Sequence, residues 1–408
     1  MKFSDYLTEH NIQSVGLWLE DSRRFAQVLL HCLHANVRLL LPPNLLVENR
    51  AWLDENADLF ICDDNLAEVG DLQEIEQILP LVDKQSESEI WLKTSGSSGE
   101  AKIIRKTAAQ MWCEVTALSQ VLPLEKGEAV QLLGSVSTQH LYGLTFRIFL
   151  ALEMGWQLGG AALQYPEFLI AETRRQKAVW ISSPALLMNL HLVNPEFATL
   201  PLAGIISSGG ALPAQTASAL RHTLACPIIE IYGSTETGVI AHRTQAGNWQ
   251  PMPQSRLGLN AEGALWVESP WLAQREQTAD SVQFAENGFE LLGRIDRIVK
   301  LGDKRVSLAK IEQDLLKHPW VSDCYLGLHP EHQRPVAWVA LNSAGLAAQR
   351  KSLIAELRKH LLPTQEKFAL PRYWRFCEKL PRNSQSKISR ADFERVCLDN
   401  QPPSPFAK

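Results

Sequence analysis

Apolar positions along this chain recur in short blocks of two alternating kinds. At residues 21–35 (DSRRFAQVLLHCLHA) they return at helical spacing, and the VRLLLPPN that follows reads as a buried strand stopped by prolines. LFICDD is a second strand, residues 71–79 a short helical stretch ended by Pro80, and EIWLK a third strand running straight into TSGSSGEAK. Helices at 108–122 and 141–154 and strands at 178–182 and 202–207 continue the alternation as far as IYGSTETG. Such alternation predicts a layered α/β domain. Beyond it, GLNAEGALWV and FAENGFELL have the turn residues of hairpins. Near Asp296 the texture changes again. A hairpin at 298–307 around Gly302, a helix at 308–317, strands at 323–328 and 336–341, a helix at 347–362 and a strand at 373–376 predict a small α+β domain.

At 408 residues the chain exceeds what one hydrophobic core organises, which agrees with two domains. Its 45% hydrophobic and 21% charged residues are those of a globular protein. A net charge of -5 gives no global basic field, which argues against nucleic acid as the main partner. The seven cysteines show no metal-binding or disulfide spacing, so free thiols in a reducing cytosol are expected. MKFSDYLTEH is not a secretory signal, and no apolar run reaches membrane-spanning length; cytoplasmic residence is the expectation.

Several Gly- and hydroxyl-rich segments follow apolar runs. TSGSSG (94–99), with Lys102 behind it, offers backbone N–H groups, hydroxyls and an ammonium to phosphate oxygens. It lacks the Gly-Lys-Ser/Thr ending of a P-loop. SSGGALP (207–213) allows a flat ring to lie against backbone without a Cβ in the way, although a Gly-Gly turn opening a helix explains it equally. In IYGSTETG (231–238) the strand is expected to stop at Tyr232 and Gly233. Ser234 and Thr235 can bond phosphate and Glu236 is a hard oxygen ligand suited to Mg2+; a capped helix start is the plainer alternative. Asp280 and Arg294 stand at opposite ends of a predicted hairpin, where they could clasp the two hydroxyls of a ribose or form an ordinary surface ion pair. Lys387 lies in the polar loop PRNSQSKISR.

Taken in order, TSGSSG-EAK, SSGGALP, IYGSTETG, TAD, GRIDRIVKLGDKRVSLAKIE and PRNSQSKISR resemble the successive signatures of the adenylate-forming acyl ligases. That family includes acyl-CoA and aryl-CoA synthetases, nonribosomal-peptide adenylation domains and firefly luciferase. The resemblance covers residues 91–390. It implies a large amino-terminal α/β adenylation domain, 1–295, and a small α+β lid, 296–408, joined at Asp296. It further implies ATP and Mg2+. Thr94, Ser95, Ser97 and Lys102 would lie over the β- and γ-phosphates. Gly209, Gly210 and Ala211 would flank adenine, with Tyr232, next to Gly233, stacked on it and Glu230 at its amino edge. Thr235 would touch the α-phosphate, Glu236 would hold the metal, and Asp280 and Arg294 would bind the ribose. Lys387 would be the adenylation lysine and Gly302 would line the thiol tunnel. STQHLYGL (137–144) resembles the segment that shapes the acid pocket, making His140, Gly143 and Ile231 pocket candidates.

The chain departs from the family at EAKII, where many relatives have Pro-Lys-Gly, and at Ser386, where Gly is usual. The stretch ahead of TSGSSG is short, which implies a truncated first subdomain. Compact forms of this kind resemble ligases serving carrier proteins in aryl-polyene or fatty-acid-like pathways. The expected activity is therefore ATP-dependent joining of a small carboxylic acid, an aryl or hydroxyaryl acid before a fatty acid, to the phosphopantetheine thiol of an acyl carrier protein. A CoA ligase for a medium or long fatty acid, and a non-catalytic nucleotide-binding scaffold, are the alternatives.

Overall fold

The computed structural model describes residues 2–94, 102–190, 192, 195–301, 304–382 and 388–399. The chain forms two compact units, Met1–Arg256 with Val267–Glu276, and Leu257–Trp266 with Gln277–Lys408. Asp296, the boundary read from the sequence, falls inside the second of them. The hairpin ahead of it belongs there because Ser307 Oγ donates to the Leu292 carbonyl at 3.3 Å.

The first unit contains two sheets. Strands β1 (Ser14–Trp18), β2 (Arg38–Leu41), β3 (Leu59–Cys62), β4 (Glu89–Lys93) and β5 (Ile103–Thr107) form one, in the order β3-β1-β2-β4-β5. It is parallel except for β5, which returns antiparallel along β4. The other comprises β6 (Gln131–Gly134), β7 (Gln157–Leu158), β8 (Ala178–Ser182), β9 (Leu202–Ser207), β10 (Ile228–Ser234), β11 (Gly238–Arg243) and β12 (Gln250–Pro251), ordered β12-β11-β10-β9-β8-β6-β7. Strands β10, β9, β8, β6 and β7 run parallel, and β11 and β12 are antiparallel additions.

Local chemistry sets the helix starts. Asp21 caps helix Ser22–His34 by accepting the Arg23 and Arg24 N–H groups. Thr107 and Gln110 cap helix Ala108–Val121 reciprocally. One core joins the faces of these helices to both sheets: Phe25, Leu29, Met111, Trp112 and Val115 are buried with Val179, Ile181, Ile206 and Ile229. Trp180, Ile205, Ile228 and Leu220 fill a separate core on the other face of the second sheet. The helical run at 141–154 holds a wide turn at Leu144–Phe149, in which buried Arg147 donates to the Val136 carbonyl at 2.6 Å and the Gly160 carbonyl at 2.8 Å.

Several elements depart from the expectations. Ile103–Thr107 is a strand that the sequence reading left unassigned, as are Ser14–Trp18 and the helix Phe3–Glu9. Of the helical stretch expected at 71–79 only Ile75–Ile78 is α-helix, and Pro80 sits in the 3-10 turn, Leu79–Leu81, that ends it. Tyr232 and Gly233 do not stop their strand. β10 continues to Ser234 and turns back into β11, so IYGSTETG is the tip of a hairpin and not a helix start.

Strands β13 (Arg256–Leu259), β14 (Leu265–Glu268) and β15 (Glu276–Gln277), whose residues are divided between the two units, form a small sheet, with the Asn260 carboxamide accepting from the Glu262 and Ala264 N–H groups between the first two. β16 (Asp280–Ala285) and β17 (Gly288–Arg294), then β18 (Ile298–Leu301) and β19 (Lys304–Ser307), make the two expected hairpins. Strands β20 (Val321–Leu328), β21 (Pro335–Leu341) and β22 (Tyr373–Cys377) form a sheet with β21 central and buried throughout. Ala337, Val339 and Leu341 face helices Leu308–Leu315 and Arg350–Leu361, while Val336, Trp338 and Ala340 face helix Arg390–Leu398. Among the described residues no helix is long and apolar enough to cross a membrane.

His31 gives this fold a pH dependence. Its ring is fully buried, and Nε2 accepts the Gln73 N–H at 3.0 Å, so the neutral ring carries its proton on Nδ1. Burial holds its pKa down to about 4, from an ordinary 6.5. Between those values the unfolded chain binds a proton that the folded chain refuses. Stability is therefore full above about pH 6.5 and falls with acidification by up to about 1.4 kcal/mol per pH unit from this group. Urea unfolding of wild type and His31→Gln between pH 4 and 7 should show a shallower slope in the variant; equal slopes would remove the assignment.

Candidate active site

Because β10, β9, β8 and β6 are parallel neighbours, their carboxyl ends lie along one edge of the sheet. Ligands of open α/β sheets bind at such an edge, where loops diverge. Here the strand ends are stitched together by hydroxyls. Ser135 and Ser182 share a hydrogen bond of 3.0 Å, Ser208 N–H donates to the Ser182 carbonyl at 3.3 Å, and Ser208 Oγ donates to the Ile231 carbonyl at 3.1 Å. The Tyr142 hydroxyl lies 2.8 Å from the Ser182 carbonyl and 2.9 Å from that of Ile206. Burial pushes its pKa up, so it stays a proton donor.

Gly209, Gly210 and Ala211 follow β9 and are exposed, with Gly209 at φ +85° and open space where a Cβ would stand. Tyr232, half-buried, has its ring 5.7 Å from that of Trp249. Ile231 is buried in the core that also holds Leu141 and Leu144. Glu230 is buried as well, and its carboxylate is paired inside the protein with Arg243 at 2.7 Å and Arg221 at 3.5 Å.

The tip of the β10–β11 hairpin carries a half-buried Thr235 and an exposed Glu236. Ser234 and buried Thr237 cross-link the turn: Ser234 N–H donates to Thr237 Oγ1 at 3.0 Å, and Thr237 N–H donates to Ser234 Oγ at 3.2 Å. Ser234 thus serves the turn, whereas the sequence reading offered its hydroxyl to phosphate. A Cβ on Gly233 would lie 2.1 Å from the Gly238 carbonyl oxygen, so the two strands approach as only glycine permits. Beneath the turn, Lys106 Nζ donates to the Glu236 carbonyl at 3.2 Å, and the Glu114 carboxylate accepts the Val239 N–H at 2.6 Å. Burial lowers the Lys106 pKa and raises that of Glu114, and each charge offsets part of the penalty on the other. Neither residue was read from the sequence, nor was Tyr142, although it stands inside the quoted STQHLYGL.

His140 is half-buried, and burial lowers its pKa. A Cβ on Gly143 would strike the Ser137 carbonyl at 1.9 Å, so this segment folds tightly on itself. Thr94 and Lys102 extend the β4–β5 hairpin at the end where its two strands are connected: Thr94 N–H donates to the Lys102 carbonyl at 2.8 Å and Lys102 N–H to Thr94 Oγ1 at 3.0 Å. The Lys102 side chain is exposed. Ser95 and Ser97 lie outside the described residues.

Within the second unit, β16 and β17 set Asp280 directly opposite Arg294. Further along, Arg297 of GRIDRIVK donates to Glu312 and to the Leu326 carbonyl, both at 2.6 Å, tying the motif to helix Leu308–Leu315 and β20. Asp296 falls in a short helical turn, and Gly302 and Lys387 lie outside the described residues.

The strand-edge loops and the carboxylate-bearing turn stand at the edge where open α/β sheets receive ligands. The family model described as AMP-binding enzyme matches residues 63–271, about half of the chain, and the model of its C-terminal domain matches residues 310–387. The chain belongs to the AMP-binding enzyme family. It is 26% identical to an L-proline–[L-prolyl-carrier protein] ligase of Streptomyces coelicolor, over 64% of this chain and 57% of that one. It is 26% identical to a 4-coumarate–CoA ligase of Cereibacter sphaeroides, over 72% and 69%. The structure resembles ATP-bound MatB from Rhodopseudomonas palustris, with a TM-score of 0.78 at 17% identity, covering 96% of this chain and 91% of that one. The fold is thus that of the adenylate-forming ligases.

The Gly233 contact yields a direct test. Gly233→Ala should lower the unfolding free energy by about 1 to 3 kcal/mol, since a backbone oxygen cannot yield as a side chain can. Urea unfolding measures this, and a change below about 0.5 kcal/mol would show that the hairpin tip relaxes freely.

Proposed function

We propose that this protein is an AMP-forming acid:thiol ligase. The carrying observation is the carboxyl edge of the second sheet, where the exposed Gly209–Gly210 bend follows β9 and the Thr235–Glu236 turn follows its neighbour β10. The pairing of Asp280 with Arg294 supports it, as two groups of opposite charge suited to a diol.

In the first half-reaction a carboxylate oxygen of the acid attacks the α-phosphorus of ATP, the bond to pyrophosphate breaks, and an acyl-adenylate remains. Two anions must meet, so positioning and charge neutralisation carry the step, and an acid–base pair does not. Thr235 holds the α-phosphate. Tyr232, Gly209, Gly210 and Ala211 seat the adenine, Asp280 and Arg294 the ribose. Glu236, an exposed hard-oxygen donor on a braced backbone, fits Mg2+, which when bound supplies positive charge beside the phosphates. Lys387 brings an ammonium to the developing charge, and Thr94, Ser95, Ser97 and Lys102 cover the departing pyrophosphate. In the second half-reaction a thiol sulfur attacks the acyl carbonyl and AMP leaves. The segment that begins at Asp296, turning about that residue, exchanges the Lys387 loop for the Gly302 loop and keeps water from the anhydride between the steps.

The acceptor we favour is the phosphopantetheine arm of a carrier protein, and the acid an aryl one lying beside His140, Gly143 and Ile231. Likeness to a carrier-protein ligase supports the first preference and likeness to a coumarate ligase the second. Free CoA is the competing acceptor, and the same likeness to a CoA ligase favours it.

Purified protein with Mg-ATP and a panel of aryl and alkyl acids should catalyse acid-dependent pyrophosphate exchange; silence across the panel would leave a nucleotide-binding scaffold. Lys387→Ala should slow adenylation by at least about 100-fold yet spare thioester formation from preformed adenylate. Equal loss of both half-reactions would take that role from Lys387.

A further inference from the structure

Lys106 and Glu114 are 4% and 2% exposed, on a strand and a helix that could have presented apolar side chains there. Buried charges persist where they are paired and hydrogen-bonded, and both of these direct bonds to the backbone of a single turn. The ammonium holds the Glu236 carbonyl at 3.2 Å, and the carboxylate holds the Val239 N–H at 2.6 Å. Thr145 Oγ1 donates to the other Glu114 oxygen at 3.5 Å. Gly238, at φ +64°, is what lets the turn settle so deeply: a Cβ there would lie 2.4 Å from Glu114 Oε1 and 3.1 Å from Trp271.

We infer that Lys106 and Glu114 are positioning residues that clamp the Thr235–Glu236–Thr237 turn by its backbone, so that the Glu236 carboxylate meets Mg-ATP from a fixed Cα. The inference rests on the reading of Glu236 as the metal-holding carboxylate. The clamp acts from below: it fixes the main chain on either side of Thr237 while the Glu236 side chain stays exposed. The Glu236 carbonyl, turned onto Lys106, is committed to the protein. Residues that orient a ligand in this way typically govern metal affinity or activity by about 10- to 100-fold.

The test compares wild type, Lys106→Met and Lys106→Arg in pyrophosphate exchange at varied Mg2+, ATP and acid. In Lys106→Met the half-saturating Mg2+ and the KM for ATP should rise about 10- to 100-fold with the KM for the acid unchanged, and Lys106→Arg should recover most of the loss. Changes within about twofold, or losses spread equally over ATP and acid, would overturn the inference. If Lys106→Met does not fold, Lys106→Gln, which keeps a shorter donor, carries the same expectation. Should wild type catalyse no exchange with any acid, the ligase reading fails by itself. Calorimetric titration of ATP with and without Mg2+ into the same proteins then decides the clamp: an Mg2+-dependent affinity weakened by the same factor sustains it. Equal affinities, or no Mg2+-dependent binding by wild type, overturn it.

Discussion

The constraint on which the first unit depends is the fate of backbone polar groups where parallel strands end. At the carboxyl edge of β6, β8, β9 and β10 the ladder stops, and buried carbonyls and amides there need partners that are not strand. A bulky loop would supply them but fill the edge. This chain instead uses short side chains: Ser135, Ser182 and Ser208 bond one another or a neighbouring strand, and Tyr142 reaches two carbonyls from the next segment. The Ser182, Ile206 and Ile231 carbonyls are thereby satisfied, and Gly209 and Gly210 beside them stay exposed. The edge's Ser- and Gly-rich composition follows from that double demand, whatever ligand it receives.

Much of this was legible because it is periodic or locally punctuated. The helix capped by Asp21, the buried strand Arg38–Leu41 after it, and β21 with its two covered faces all announce themselves in the spacing of apolar residues. The Asp280–Arg294 pair was legible too, since the turn in FAENGFELL fixes the register that places them opposite each other. β5 was not. Its sequence, IIRKT, places the charge of Lys106 on the inward face and leaves Ile103 exposed, so the polar pattern argues against the strand that forms. The plainer alternative for IYGSTETG, a capped helix start, fails for a related reason. Hydroxyls followed by a carboxylate are what a helix start uses, and only the close approach of Gly233 to Gly238 turns the same residues into a hairpin. Lys106 and Glu114 show the limit of such reading, because composition sends charged side chains to solvent and only their positions in space reveal what they hold.

The second unit meets a different demand. Its central strand has a core on each side, and the Arg297–Glu312 pair and the bidentate Arg382–Asp323 pair tie its segments together near β20. Burial raises the Glu312 pKa, and Arg297 and the Leu326 N–H restrain that rise by stabilising the charged form. With a double-sided core and internal ion pairs, the unit keeps its own shape through contacts within itself.

The pairing of Ser234 with Gly238 leaves room for three residues between them and no more. In a pleated ribbon each added or deleted residue sends every following side chain to the opposite face. Lengthening this turn by one therefore needs a compensating bulge, such as the irregularity the ribbon already carries between Tyr232 and Gly233, or it casts the β11 core residues into water. Diversification at this corner is thereby steered toward exchanging side chains at constant length, while the loops after β8 and β9 are bound by no such count.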